Sequence, residues 1–351
     1  MANERRVPVV TVAIPCFNEE RFIERCLEDV LGQDYPAESL EVLVGDGMST
    51  DRTRELLDGL VARHPGRLRV IDNPRRLQAA AMNAMIDEAR GEIVVRMDVH
   101  ARYAPDYVRQ CVAVLEETGA DNVGGAQRAV AETWFQRALS AALDSPLAVG
   151  GARYRDADAE GFVDTVFLGA FRREVFERVG GYDDNAITNE DAELNQRILA
   201  AGGKVYLSRK IVVRYFPRDS LRGLAKQYFK YGKGRARTLL KHRTFPTPRP
   251  AIPFAMVVGG AALLSTPALH PVAPFAFGAY GVATLAEALR VSLRHGVALA
   301  PAVAAIFPVL HVSHGVGFGV GLVQYALAPD WSERRVRARA EAPVEVALDG
   351  S

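Results

Sequence analysis

Ile93-Val94-Val95-Arg96-Met97-Asp98-Val99-His100 is a short β-branched run that ends on an acid and a histidine two residues apart. Runs of this length and composition read as buried strands. Residues 9–14, 41–44 and 68–71 are runs of the same kind, and segments with helical patterns follow them at residues 20–31, 53–62 and 78–89. Strands alternating with helices predict an α/β fold, with a parallel sheet covered by helices on both faces. In open sheets of that class the ligand crevice lies beyond the carboxyl ends of the strands. The residues there are Pro15-Cys16-Phe17-Asn18-Glu19-Glu20, Gly45-Asp46-Gly47-Met48-Ser49-Thr50-Asp51 and Asp98-Val99-His100, three polar loops expected to line one pocket.

The side-chain chemistry of these loops suits a phosphorylated ligand. If the strand continues, Asp98 and His100 point to the same side and can share one divalent cation with a diphosphate. A nucleotide diphosphate leaving group needs such neutralisation, because negative charge builds on the phosphate as its bond breaks. In isolation the same pattern also describes a strand-end aspartate capping a turn beside a surface histidine. Asp46 lies between two glycines, where a carboxylate at a buried edge can accept hydrogen bonds from a nucleobase or ribose. Asp51 precedes a helix and reads as its cap. The glycine spacing matches neither a Walker loop nor Gly-x-Gly-x-x-Gly, which removes the main support for a kinase or a dehydrogenase.

A second acidic group stands in Thr188-Asn189-Glu190-Asp191-Ala192-Glu193-Leu194, a helix start crowded with carboxylates. Two readings fit it. Thr188 and Asp191 have capping-box spacing, and acids here complement the helix dipole. Alternatively, Glu190 or Asp191 takes a proton from an acceptor hydroxyl.

The 351 residues carry a formal net charge of only +1, but the halves differ in composition. Residues 1–245 mix apolar and charged side chains, whereas residues 251–328 hold few charges, among them Glu287, Arg290 and Arg294. The apolar stretches at 251–269, 272–289 and 297–328 predict three membrane segments, or four if the last one turns back near residues 311–315. The segment before them, residues 218–249, has ten Lys or Arg against one acid, Asp219, interleaved with aromatics. It suits an anionic membrane surface and places that end inside. Clustering of the basic residues beside apolar spans argues against nucleic-acid binding. Cys16, Cys26 and Cys111 are odd in number and lack metal-ligand spacing, which fits reduced thiols. Residues 1–8 do not form a signal peptide, and residues 329–351 read as a disordered tail.

Taken in order, residues 13–20, 46–51, 97–100 and 189–191 resemble the family 2 glycosyltransferases of GT-A fold, over roughly residues 8–235. The resemblance implies that Pro15, Asn18, Glu19 and Asp46 border a nucleotide sugar and that Asp98 binds the metal-diphosphate unit. It also implies that Asp191, paired with Glu190, is the catalytic base of an inverting displacement. Where the family carries Asp-x-Asp this chain has Asp98-Val99-His100, similar to the branch of succinoglycan-biosynthesis glucosyltransferases. Histidine as second ligand would favour Mn²⁺ over Mg²⁺. Gln227-Tyr228-Phe229-Lys230-Tyr231 resembles a degenerate Gln-x-x-Arg-Trp motif, which implies that Gln227, Lys230 and Tyr231 lie near the acceptor; the pentapeptide also reads as an interfacial helix. The expectation is a multi-pass plasma-membrane enzyme with a cytoplasmic catalytic domain. It would move a hexose from a nucleotide diphosphate sugar, UDP being the expected nucleotide, to a lipid-linked saccharide or polyprenyl phosphate in exopolysaccharide or cell-envelope synthesis. The alternatives are a processive polysaccharide synthase and a non-catalytic nucleotide-sugar sensor or scaffold.

Overall fold

A computed structural model of the chain describes residues 7–151, 153–244 and 248–332. It opens with β1 (Val10–Cys16), α1 (Ile23–Leu31), β2 (Leu40–Asp46), α2 (Thr53–Arg63), β3 (Leu68–Asp72), α3 (Gln78–Glu88) and β4 (Ile93–Arg96). Next come β5 (Ala101–Tyr103), α4 (Tyr107–Thr118), β6 (Asn122–Gly125), β7 (Gln127–Ala129), α5 (Trp134–Leu143) and α6 (Pro146–Val149). The α/β domain is completed by β8 (Gly161–Phe162), β9 (Phe167–Arg172), α7 (Arg173–Val179), α8 (Glu190–Ala200), β10 (Val205–Leu207) and β11 (Val213–Tyr215). Four helices follow: α9 (Leu221–His242), α10 (Ile252–Ser265), α11 (Ala273–His295) and α12 (Ala300–Leu327).

The main sheet has the order β3-β2-β1-β4-β9-β6-β10-β8. Its first four strands are parallel, as the alternation of strand and helix predicts. Beyond β4 the sheet is mixed, because β9 runs antiparallel to both β4 and β6. Residues of β1 alternate between two cores: Val10, Val12 and Ile14 pack with α1, α2 and α4, while Ala13 packs with α3, α7 and α8. β1, β2 and β4 are buried on both faces, which is why they are largely apolar, with buried polar exceptions such as Thr11, Glu41 and Arg96. A small second sheet, β5-β11-β7, lies just past Asp98-Val99-His100.

The C-terminal helices differ from the expected set of spans. α12 is continuous through residues 311–315 despite Pro308, so the turned-back alternative with four segments is not what forms. α12 runs parallel to α9 at a separation that only glycine permits. A Cβ at Gly232 would sit 2.0 Å from the His314 carbonyl oxygen, and one at Gly317 would sit 2.1 Å from that of Phe229. α9 in turn lies on the α/β domain, where the side chain of Asn189 donates to Thr238 Oγ1 (3.1 Å). Near the other end of α12, His311 Nε2 bonds the Leu147 carbonyl (2.8 Å), and Leu299 and Val303 share an apolar cluster with α5. α12 therefore touches the α/β domain along its length. α10 has 14 residues, about 21 Å at 1.5 Å per residue against a hydrocarbon thickness of about 30 Å. α11 is longer but carries Glu287, Arg290 and Arg294. Among the described residues, only Val297–Leu327 is long and apolar enough to cross a membrane. The multi-pass expectation is accordingly not supported.

The basic segment is not wholly surface: Arg237 is buried, and Lys241 pairs with Asp183. The start of the expected tail is ordered, because Asp330 accepts from Arg237 (2.6 Å) and Ser332 hydrogen-bonds Asp183. The rest of the tail, residues 333–351, lies outside the described residues.

Candidate active site

A cleft of about 1420 Å³ opens at the carboxyl ends of the parallel strands and extends to α9, α10 and α12. Pro15, Glu19, Gly47, Asp98, Val99 and His100 line it, so each of the three polar loops contributes. Glu190, Asp191, Gln227, Lys230 and Tyr231 line it as well, which joins two motifs about forty residues apart in sequence.

Asn18 and Asp46 do not line the cleft and are used to build the loops. Asn18, at φ 56°, accepts from the Thr50 amide (2.8 Å), and its own amide donates to Ser49 Oγ (2.9 Å). Asp46 accepts from Ser49 Oγ (2.6 Å) and lies beside Arg54, which also donates to Asp72. Asp51 accepts from the Thr53 amide at the start of α2 (3.0 Å), but from one residue before the cap position, which Arg52 and not Asp51 occupies. These side chains fasten the first loop to the second and fix the strand ends beside the cleft.

β4 ends at Arg96, so strand alternation does not set the directions of Asp98 and His100. Asp98 accepts from Arg96 Nε (3.1 Å) and from Gln78 Nε2 (3.3 Å). His100 Nε2 pairs with Glu19 Oε1 (2.9 Å), and this bond raises the pKa of the imidazole. Thr188 does not cap α8; its hydroxyl donates to the Lys230 carbonyl (3.0 Å), linking the start of α8 to α9. Asn189, in the left-handed conformation at φ 68°, turns the chain so that Glu190 and Asp191 face β4.

The residue that sequence reasoning missed is Arg96. Its guanidinium is buried among three carboxylates, with Nη1 on Glu190 Oε1 (3.1 Å) and on Asp191, and Nε on Asp98. Burial disfavours its charge, but Asp191, Asp98 and Glu190 hold its pKa well above the usual value. One cation does not balance three acids. The side chain of Asp191 is about 32% exposed toward the cleft. Burial on its other sides, opposed by Arg96 and reinforced by Glu190 and Asp98, pushes its pKa up to about 7. A carboxylate titrating near neutrality at the edge of a pocket is matched to proton abstraction. The available signal was a lone arginine inside an otherwise apolar strand.

The sequence matches the profile described as Glycosyl transferase family 2 over residues 11–180. It is 34% identical over 317 residues to the succinoglycan biosynthesis protein ExoA of Rhizobium meliloti, covering 90% of this chain and 95% of that one. A dolichyl N-acetyl-alpha-D-glucosaminyl phosphate diacetamido-dideoxy-glucuronosyltransferase of Methanococcus voltae is 30% identical over 239 residues, 66% of this chain and 74% of that one. In fold, the chain is similar to a mannosyltransferase of Pyrobaculum calidifontis solved with GDP-Man and Mn²⁺. The TM-score is 0.61 at 24% identity, with 86% and 87% of the two chains covered.

Proposed function

The chain belongs to the family 2 glycosyltransferases, and on that premise we propose that it moves a hexose from a nucleotide diphosphate sugar, UDP-linked, to a lipid-linked acceptor with inversion. The observation that carries the reading is the position of Asp191 at the edge of the cleft, where three carboxylates share one buried guanidinium. It borders the cleft, shares Arg96 with Asp98, and is poised near pH 7 by burial and by the surplus of acid around it. In this mechanism Asp191 takes the proton of the acceptor hydroxyl as the oxygen attacks the anomeric carbon. The bond from that carbon to the diphosphate breaks, and the nucleotide diphosphate leaves toward the loop of Asp98. Arg96 keeps Asp191 oriented and ionisable, while Glu190 keeps its proton affinity high. Gln227 donates to the Tyr231 hydroxyl (2.9 Å) and fixes that ring at the wall of the cleft, where it borders the incoming acceptor.

A divalent cation is implied by the family. Among the described residues no three His, Cys, Asp or Glu side chains converge as a cage, but Asp98 and His100 offer one carboxylate and one imidazole at the same cleft. That donor set fits Mg²⁺ or Mn²⁺ when phosphate oxygens and water complete the shell, as is usual at nucleotide sites. The cation would supply charge neutralisation on the diphosphate.

Exposed apolar side chains on the C-terminal helices, among them Leu264, Phe275, Val282, Leu285, Val323 and Leu327, support attachment to one face of a membrane. Arg237–Asp330 ties the segment after α12 to α9, and Ser332 hydrogen-bonds Asp183 of the α/β domain. An Ala328→Cys protein should react with an impermeant maleimide only from the side of the catalytic domain, and labelling from the opposite side would overturn a one-sided seat.

The transferase reading is tested by presenting labelled nucleotide sugars to membranes that contain the full chain and native lipids. Label should move from one donor into the lipid phase in a protein-dependent manner. Absence of transfer from every donor would refute it, and a long polymer product would favour a processive synthase.

A further inference from the structure

The wall of the cleft opposite the strand ends holds two arginines that the mechanism does not use. Arg155 and Arg235 both line the cleft, and neither has a carboxylate within ion-pair distance among the described residues. Burial disfavours the charge of Arg155, but the hydroxyls of Tyr154, Tyr228 and Tyr231, Tyr154 through a hydrogen bond, hold its pKa above the usual arginine value, and its guanidinium lies 5.5 Å from the Tyr154 ring centre. Its Nε is buried with no hydrogen-bond partner. Arg235 has Tyr154 and Tyr231 as neighbours too, and feels Asp164 at longer range. Burial pulls its pKa below the ordinary arginine value. His314, on α12, adds a buried Nδ1 without a partner.

Both guanidinium groups are partly buried and face tyrosines in place of carboxylates, and cations withdrawn from water in this way are normally matched by an anion. Arginine's fixed fork suits a phosphate in particular. The surroundings say what carries that phosphate. Ile252, Pro253 and Met256 of α10, with Leu310 of α12, line the same end of the cleft and continue into the exposed apolar surface of these helices. Asp98 and His100 stand instead at the strand-end wall.

We propose that Arg155 and Arg235 bind the phosphate of an acceptor carried on a long apolar chain, with the chain leaving along α10. The proposal rests on the transferase reading for the word acceptor, but the site itself is defined by its ligand chemistry. A phospholipid headgroup offers similar chemistry, so the test separates the two sources.

The experiment uses the full chain in phosphatidylcholine nanodiscs, with lipid retention read by native mass spectrometry. Undecaprenyl phosphate should be retained at least about tenfold more strongly than undecaprenol. It should also exceed phosphatidylglycerol by a similar factor. Arg155→Gln and Arg235→Gln should each reduce its retention about tenfold, Arg155→Lys should restore part of it, and UDP affinity should stay within twofold. Equal retention of undecaprenol would overturn the phosphate assignment. Equal retention of phosphatidylglycerol would overturn the acceptor assignment in favour of a general headgroup site. Loss of UDP binding in the variants would place the donor diphosphate on these arginines instead, also overturning the proposal. Phosphate-selective retention by a protein that transfers no sugar would leave this site standing and remove the transferase reading.

Discussion

Helix α8 takes part in two ion clusters, one turn apart, with opposite charge balance. At its first turn, Glu190 and Asp191 meet Arg96, which Asp98 also uses, so that three carboxylates share one guanidinium. On the other side, Glu193 meets Arg197 (2.8 Å), Lys241 (2.9 Å) and His242 (2.8 Å). Lys241 also bonds Asp183, and Asp183 and Asp330 share Arg237. Surplus acid raises the pKa of Asp191 to about 7. In the second cluster burial alone would raise Glu193, but His242, Arg197 and Lys241 hold it far below the usual carboxylate range. A single helix thus carries a base and a clamp. The difference is the number of cations facing each, and the clamp fastens α9 and the end of α12 to the element that bears the base.

The largest effect should come from Asp191→Asn, which removes the base and leaves the loops around the diphosphate intact. The turnover number should fall on the order of 10⁴-fold while UDP binding by calorimetry stays within twofold. Glu193→Gln should retain turnover within a few fold and lose stability instead. If the two variants had the same kinetic effect, the contrast between base and clamp would be wrong.

Next in size is Arg237→Met, which leaves the buried Asp183 with Lys241 as its remaining cation among the described residues. Breaking a buried pair typically costs about 3–5 kcal/mol, to be seen as a lower urea midpoint at unchanged slope. Arg96→Met should act differently, because its carboxylates can take up protons. Asp191 must be ionised to work, so activity rises with pH through its pKa near 7. Without the cation that pKa climbs, and the acidic limb of the rate profile should move up by about 1–3 pH units. A limb that stays in place would detach Arg96 from the base.

The legible parts of this chain are those where local pattern and local structure coincide. β1 to β4 and α1 to α3 fall close to their periodic segments, because β1, β2 and β4 are buried on both faces and each helix has one apolar side. β9 between β4 and β6 was not legible, since six residues carry no sign of strand direction. The ordered motifs named most of the cleft, but they could not separate side chains that face it from Asn18 and Asp46, which hydrogen-bond neighbouring loops. Arg96 escaped because two of its three carboxylate partners, Glu190 and Asp191, lie about ninety-five residues downstream in sequence. The apolar C-terminal stretches were read by length and composition, whereas their placement depends on glycine contacts between α9 and α12 that composition does not reveal.

The pH dependence of stability gives a smaller effect with a definite sign. Glu193 has a depressed pKa in the folded state, so its contribution is complete above the unfolded value of about 4.3 and disappears as pH falls through the folded value. Unfolding free energy should therefore drop with a slope of about 1.4 kcal/mol per pH unit for this one group below pH 4. Glu193→Gln should flatten that slope while starting from a lower plateau. Asp191, with a raised pKa, has the opposite sign: its penalty grows as pH rises from about 4 toward 7 and is constant above. Asp191→Asn should remove that part of the decline between pH 4 and 7.

The smallest effect expected is at His100, and it separates the two residues of the strand-end motif. Glu19 occupies Nε2 of the imidazole, so any metal role falls on the other ring nitrogen, with Glu19 fixing the ring as carboxylates commonly do behind ligating histidines. Under that arrangement His100→Ala should weaken the Mn²⁺ dependence of UDP binding by about tenfold, and Glu19→Gln should give a similar but lesser loss. Asp98→Asn should cost more than either, since it removes the one carboxylate of the strand-end pair. If His100→Ala left the Mn²⁺ titration unchanged while Asp98→Asn shifted it, the histidine would belong with Asn18 and Asp46 among the side chains that build the loop, and the metal site would rest on Asp98 and the diphosphate.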